Sequence, residues 1–160
     1  MTIRPATSAD RAAIASIILP AIRAGETYAL PREWSEKEAV DYWFADGHHV
    51  FVNEVDSEVL GTYYLQSNQK GGGAHIANCG YATDVRAQGR GIARAMCLHS
   101  LETARAMGFR AMQFNIVIST NTRAVALWQS CGFEILARLP EVFDHPTEGY
   151  VDAFVMFQKL

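Results

Sequence analysis

The chain has 160 residues, of which 49% are hydrophobic and 19% charged, and its formal net charge is −3. This length predicts one globular domain over residues 1–160 that buries roughly two-thirds of its unfolded surface. The mildly acidic balance argues against a nucleic-acid partner. No apolar run reaches the ~20 residues of a membrane span, which argues against a membrane partner. Residues 1–5 lack a signal-peptide pattern, so we expect a cytoplasmic location.

The first half of the chain predicts one strand, then two helices, then two further strands. A strand at Thr2–Pro5 precedes a helix begun by Ser8 or Asp10, which Pro20 is expected to kink or end. After a loop at Gly25–Trp34, a capping box at Ser35–Glu38 starts a helix that ends near Gly47. The next strands are predicted at Val50–Glu54 and Val59–Gln66, with a turn at Asp56–Ser57.

The second half alternates strands with helices and closes with two strands. A hairpin loop at Gly71–Gly73 precedes a strand at Ile76–Thr83 and a helix at Gly89–Met107. A strand at Arg110–Ile118, a helix at Thr120–Ser130 and a strand at Gly132–Leu139 follow. A polar loop at Pro140–Gly149 then leads to the last strand, at Tyr150–Gln158. The order βααβββαβαββ predicts an α/β (α+β) mixed sheet with helices on both faces.

The segment Gln88-Gly89-Arg90-Gly91-Ile92-Ala93 joins a strand-like run to an amphipathic helix. Glycines at such a turn let a ligand approach the backbone, and the helix start leaves unpaired N–H groups at its positive end. These donors, with Arg86 and Arg90 nearby, predict a socket for a phosphate-bearing ligand.

This segment and a second one resemble the GNAT superfamily of acyl-CoA-dependent N-acyltransferases. Gln88, Gly91 and Ala93 match the family's Gln/Arg-x-x-Gly-x-Gly/Ala, and Asn121–Phe133 matches its Asn-x-x-Ala-x-x-Leu-Tyr-x-x-x-Gly-Phe. The resemblance implies a sheet splayed between the fourth and fifth strands, acetyl-CoA as cosubstrate, and acetyl transfer to an amine by direct attack in a ternary complex. No metal is implied, and neither the three cysteines nor the histidines show ligand spacing.

The resemblance also implies which residues hold acetyl-CoA. They are Tyr81, Thr83, Val85, Arg86, Gln88, Gly89, Arg90, Gly91, Ile92, Ala93, Asn121, Ala124 and Trp128. A backbone N–H near Ala82 or Thr83 would polarise the thioester carbonyl. Asn121 is also suited to cap a helix. Trp128 stands where the family has tyrosine, and its indole is too weak an acid to protonate a leaving thiolate.

The acceptor side depends on less specific residues. Asn78 and Asn115 interrupt apolar strands, and we expect them to face each other and orient the substrate, or else to satisfy neighbouring backbone groups. Glu26 and Tyr28 are predicted to bind substrate. The candidate bases are Glu26, Tyr28, Glu33, Asp144 and His145, with deprotonation through water as the alternative.

Several functions stay open at this point. Ala77–Tyr81 and Gln113–Val117 resemble fungal N-acetyltransferases that act on azetidine-2-carboxylate and related proline analogues, which favours a small amine, an amino acid or a toxic analogue. The alternatives are an acetyltransferase for protein N-termini or lysines and a catalytically silent CoA-binding sensor. Acyl-chain selectivity is undetermined by the sequence. Many relatives are dimers, which leaves a homodimer open.

Overall fold

The computed structural model describes residues 1–160 and contains one mixed sheet of seven strands in the order β1-β2-β3-β4-β5-β7-β6. The elements are β1 Thr2–Pro5, α1 Arg11–Ala24, α2 Glu36–Trp43, β2 His49–Val55, β3 Glu58–Ser67, β4 Ile76–Thr83, α3 Ile92–Ala106, β5 Ala111–Ile118, α4 Thr122–Ser130, β6 Glu134–His145 and β7 Gly149–Lys159. Short 3₁₀ turns lie at Ser8–Asp10, Gly71–Gly73 and Val85–Ala87. The predicted order of strands and helices is confirmed.

The sheet opens between β4 and β5, as predicted. These two strands are parallel and pair only at Ile76 with Ala111 and at Ala77 with Met112. Beyond this point β5 continues beside β7, and β4 continues beside β3. The carboxyl half of β4 therefore has no strand partner on its β5 side.

Helices cover both faces of the sheet, and each face has its own core. Helices α1 and α2 pack on one face, where Ile18 and Trp43 are fully buried. Helix α3 and the end of α4 pack on the other, around Met96, Cys97 and Phe114. Alternate residues of each central strand supply the two cores, because successive side chains point to opposite faces. No helix is long and apolar enough to cross a bilayer.

Pro20 does not kink or end the first helix as predicted. Helix α1 runs through it, because Pro20 lies on the exposed face, where the carbonyl that loses its N–H partner faces water. Ser8 does not cap this helix; the Asp10 carboxylate accepts hydrogen bonds from the backbone N–H and hydroxyl of Thr7 at 2.7 and 3.0 Å. Helix α2 has the predicted capping box but ends at Trp43 rather than near Gly47.

The predicted polar loop at Pro140–Gly149 is wrong. These residues continue β6 to His145, and the chain turns only at residues 146–148 before β7. Pro140 is tolerated because β6 is the edge strand, where a missing N–H breaks no ladder on the outer side. A register shift between Leu139 and Phe143 absorbs the local irregularity.

Candidate active site

A cavity of about 780 Å³ opens at the point where β4 and β5 diverge. Its walls come from the carboxyl half of β4, the start of α3, the bulged part of β5, helix α4 and the loop between α1 and α2. Of the residues predicted to hold the donor, ten line the cavity: Tyr81, Thr83, Gln88, Gly89, Gly91, Ile92, Ala93, Asn121, Ala124 and Trp128. The fold therefore brings both sequence motifs to one site.

The backbone of β4 presents unpaired groups to this cavity. Along a strand, the N–H and C=O of alternate residues point to opposite sides. The Asp84 N–H donates to Leu60 on β3 at 2.9 Å, so even-numbered residues of β4, including Ala82, are turned toward β3. The odd-numbered Tyr81 and Thr83 are turned toward the gap. Two backbone N–H groups were predicted to polarise the thioester carbonyl, those of Ala82 and Thr83, and only the one of Thr83 faces the cavity. The N–H group of Tyr81, which was not predicted, faces the cavity as well.

Tyr28 fixes the α1–α2 loop to this exposed backbone. Its hydroxyl donates to the carbonyl oxygen of Tyr81, fifty-three residues along the chain. Burial raises the pKa of Tyr28 well above its ordinary value of 10.0, so the phenol stays protonated and keeps donating. The loop thus forms one wall of the site, and Tyr28 is excluded as a base at neutral pH.

The start of α3 leaves several amides free toward the cavity. Gly89 and Gly91 have φ angles of +78° and +77°, and a Cβ built on either residue meets no atom within 4 Å. Gly91 is the N-cap and no side chain caps the helix. The first intrahelical bond runs from Ala95 N–H to Gly91 C=O at 2.9 Å, so the N–H groups of residues 91–94 stay unpaired, whereas the Arg90 N–H donates to the Ala87 carbonyl oxygen at 3.4 Å. The 3₁₀ turn at Val85–Ala87 separates this glycine turn from β4, whereas the sequence predicted a direct connection.

Helix α4 adds polar groups opposite this helix start. Asn121 lines the cavity and caps α4 by accepting from the Ala124 N–H at 3.2 Å, so the predicted capping role is confirmed. The guanidinium of Arg123 donates to the side-chain oxygen of Gln88 at 3.2 Å. This contact joins the two sequence motifs directly.

Three of the predicted donor-site residues lie outside the cavity lining: Val85, Arg86 and Arg90. Arg86 is held by Asp84 at 2.6 Å and by Glu58 at 2.8 Å, and these carboxylates raise its pKa further above the ordinary value. Its charge is thus already paired within the protein.

The cationic lining residues are instead Arg94 and Arg123, which sequence reasoning missed. Both belong to the segments that carry the motifs, since Arg94 is the third residue of α3 and Arg123 is the second residue of α4. Their spacing from Gly91 and Asn121 could have identified them, because a side chain in the first turn of a helix lies beside its N-terminal amides.

Aromatic side chains close the inner end of the cavity. The Tyr81 ring lies 4.9 Å from Trp128 and 5.9 Å from Phe114, centroid to centroid, and Phe114 lies 5.2 Å from Trp128. Cys79 also lines this region, and burial raises the pKa of its thiol to about 12. The thiol is therefore protonated at neutral pH and is no nucleophile.

Of the five candidate bases, only Glu26 and Tyr28 line the cavity. Glu33 is exposed on the α1–α2 loop outside the cavity. Asp144 and His145 lie near the tip of the β6–β7 hairpin, where the His145 ring contacts the backbone and hydroxyl of Thr147 at 3.3 Å. Glu26 is thus the one carboxylate at the rim.

Asn78 and Asn115 do not line the cavity, and no hydrogen bond joins them. The Asn78 amide donates to the Gln113 carbonyl oxygen at 2.8 Å, which bridges β4 and β5 where their ladder ends. Asn115 is exposed and accepts from Gln113 at 2.9 Å, and it donates to Asn68 at 2.7 Å. Asn78 therefore satisfies a neighbouring backbone group, the structural alternative expected from the sequence.

No group of three or more histidine, cysteine, aspartate or glutamate side chains is placed to hold a metal ion. The charged lining residues are Glu26 at one end and Arg94 and Arg123 at the other. The cavity can thus hold an elongated ligand whose anionic end lies at the start of α3 and whose other end reaches Glu26.

The chain is similar to known acetyltransferases. The family model described as "Acetyltransferase (GNAT) family" matches residues 17–133. A GCN5-related N-acetyltransferase from Kribbella flavida is 40% identical with a TM-score of 0.95, and the match covers 99% of this chain and 97% of that one. The N-acetyltransferase aca1 of Schizosaccharomyces pombe is 29% identical over 154 residues, covering 84% of this chain and 72% of the relative. The structure of yncA from Salmonella typhimurium, solved with its cofactor acetyl-CoA, is 25% identical with a TM-score of 0.87, covering 100% of this chain and 94% of that one.

Proposed function

Because the chain belongs to the acetyltransferase (GNAT) family and is an acetyl-CoA-dependent N-acetyltransferase, we propose that its acceptor is the amine of a small molecule. The observation that carries this proposal is the bond from Tyr28 to the Tyr81 carbonyl. It fixes the α1–α2 loop across the splayed strand, which makes a walled cavity rather than an open groove.

The residues present fit acetyl-CoA. The pyrophosphate matches the uncapped amides at the start of α3, beside the guanidinium groups of Arg94 and Arg123. The pantetheine arm carries amide groups, and these match the unpaired backbone of Thr83 and the side chain of Asn121. Arg90 adds a positive charge outside the lining, whereas the charge of Arg86 is paired with Asp84 and Glu58.

In the proposed reaction, the free amine attacks the thioester carbonyl, the new C–N bond forms, the C–S bond breaks and CoA leaves as a thiolate. The N–H group of Tyr81 is placed to stabilise the charge that develops on the carbonyl oxygen. Trp128 can donate a hydrogen bond to the sulfur but cannot supply a proton. The amine's proton passes to solvent at the open rim, where Glu26 lies.

Glu26 is proposed to attract the acceptor as its ammonium form. It is exposed, so its contribution is that of a surface ion pair, about 0.2–1 kcal/mol. This amount corresponds to a change of roughly one- to fivefold in KM for the amine. The carboxylate then shapes selectivity for cationic amines without being indispensable to the chemistry.

The test is acetyl-CoA-dependent thiol release with amino acids, proline analogues, simple amines and peptides. We expect turnover with members of the small-molecule set, and a higher amine KM in Glu26→Gln with an unchanged acetyl-CoA KM. Glu33→Gln is the matched control, since it removes the same charge from the same loop outside the cavity. An equal KM change in both variants would contradict a local role for Glu26.

The other acceptor predictions enter the same assay. Asn115→Ala is expected to lower turnover without changing acetyl-CoA affinity if Asn115 orients the acceptor. Turnover equal to the wild type would assign Asn115 only to its bonds with Asn68 and Gln113. Efficient acetylation of peptides alone would replace the small-molecule proposal, and tight CoA binding with no turnover on any amine would indicate a sensor.

A further inference from the structure

The inner end of the cavity is closed by an aromatic floor, which we define as Tyr81, Phe114 and Trp128. These side chains come from the two diverging strands and from α4, and all three line the cavity. Their centroid separations of 4.9–5.9 Å are those of rings in contact. No space is left between the rings for an additional group.

Contacts with neighbouring residues or burial restrain each ring of the aromatic floor. The Tyr81 hydroxyl contacts the Ser100 hydroxyl at 2.6 Å on α3. Phe114 stacks on Phe133 at 4.3 Å with an interplanar angle of 20°. The exposed fractions of Phe114 and Trp128 are only 5% and 9%. Close-packed side chains of this kind do not give way to an inserted methylene without displacement of their neighbours.

We propose that the aromatic floor limits the transferred acyl group to acetyl, and that Phe114 is the residue that sets this limit. The inference rests on the proposed placement of the donor, in which the thioester carbonyl lies at the Tyr81 amide. The acyl chain beyond that carbonyl then meets the floor at once. One methylene in an apolar pocket changes discrimination by about 10- to 200-fold, so butyryl-CoA should bind at least tenfold more weakly than acetyl-CoA.

The alternative direction for a longer chain is the rim beside Glu26 and Tyr28. A chain that turned there would occupy the space through which the amine approaches, and it would not touch the floor. Donor binding would then be insensitive to chain length and to Phe114. Measuring binding rather than turnover therefore separates the two arrangements, and it needs no knowledge of the acceptor.

The experiment measures dissociation constants of acetyl-CoA and butyryl-CoA by calorimetry for the wild type, Phe114→Ala and Phe143→Ala. Phe143 is the matched control, since it is 7% exposed, lies on β6 and does not line the cavity. We expect butyryl-CoA to bind at least tenfold more weakly in the wild type and in Phe143→Ala. In Phe114→Ala the two constants should agree within twofold.

A wild-type ratio below twofold, or a ratio unchanged by Phe114→Ala, would overturn the inference. Thermal melts establish whether each variant folds, and Phe114→Leu replaces Phe114→Ala if that variant does not, with an intermediate ratio expected. A wild type that fails to bind acetyl-CoA would also overturn the inference. Acetylation of peptides instead of small amines would overturn only the acceptor proposal.

Discussion

Replacement of Gly91 by alanine tests the phosphate socket, and Gly108 provides a matched control for it. Both glycines have left-handed backbone, with φ of +77° and +85°, and a Cβ built on either meets nothing within 4 Å. Gly91 begins α3 and lines the cavity, whereas Gly108 follows the end of the same helix outside it. The two substitutions therefore impose the same strain, and only one adds a methyl group where the donor is expected.

The cost in stability follows from the backbone alone. Alanine in the left-handed region costs about 1–2 kcal/mol, and its smaller unfolded-state entropy returns about 0.4–1 kcal/mol. The net loss of about 1 kcal/mol corresponds to a fall of about 2–4 °C in Tm for a domain of this size. We expect this fall in both variants.

The cost in affinity should differ between them. In Gly91→Ala the methyl group keeps the phosphate from the free amides, and we expect acetyl-CoA to bind about tenfold more weakly, equivalent to about 1.4 kcal/mol. Gly108→Ala should bind with the wild-type constant. Calorimetric titration with acetyl-CoA measures both. A Gly91→Ala constant within twofold of the wild type, or equal losses in the two variants, would refute the phosphate socket at this turn.

Two further predictions concern stability. Gly80→Ala places a Cβ 2.5 Å from the buried ring of Tyr64, so we expect the free energy of unfolding to fall by about 1–3 kcal/mol in denaturant titrations. The control Gly72→Ala, whose Cβ meets nothing within 4 Å, should change it by less than about 0.5 kcal/mol. Similar values for the two variants would contradict the clash. The Arg4 guanidinium, bonded to Asp10 at 2.9 Å, holds the pKa of that carboxyl well below its ordinary value of 3.8. Because the pKa is lower in the folded state, the ion pair stabilises the protein fully above about pH 5, and this stabilisation is lost as the pH falls below 3.8. The free energy of unfolding that Asp10→Asn loses relative to the wild type should therefore shrink over that range. A loss that does not depend on pH would exclude the ion pair as its cause.

The element order and the donor side follow largely from the sequence. Strand β4 was predicted with its observed bounds, and the segment from Gln88 to Ala93 forms the predicted glycine turn at a helix start. Such features are local, because turns, caps and helix starts depend on residues a few positions apart. The main error in the predicted fold is the polar loop at Pro140–Gly149. Pro140 predicts an interruption of a strand unless that strand lies at the edge of a sheet, and only the structure shows that β6 is an edge strand.

The partners of individual side chains depended on the tertiary structure. The sequence places Arg86 near the socket, but its guanidinium binds Glu58 from the preceding hairpin. Asn78 and Asn115 are polar residues in apolar strands, and this pattern predicts a role in binding substrate. In the structure the side-chain amide of Asn78 donates to the Gln113 carbonyl, and that of Asn115 donates to the Asn68 side chain. A residue pattern identifies an unusual side chain but carries no information on which distant group satisfies it.

The sequence by itself therefore determined the family, the donor and the helix start at which we propose that the donor phosphates bind, because contiguous residues build such a turn. Only the tertiary structure decided how the aromatic floor and the α1–α2 loop enclose the cavity. The bond from Tyr28 to Tyr81 and the contact of Tyr81 with Trp128 join segments far apart in the chain. Those contacts exist because the sheet opens between β4 and β5, and packing of the whole domain fixes that opening.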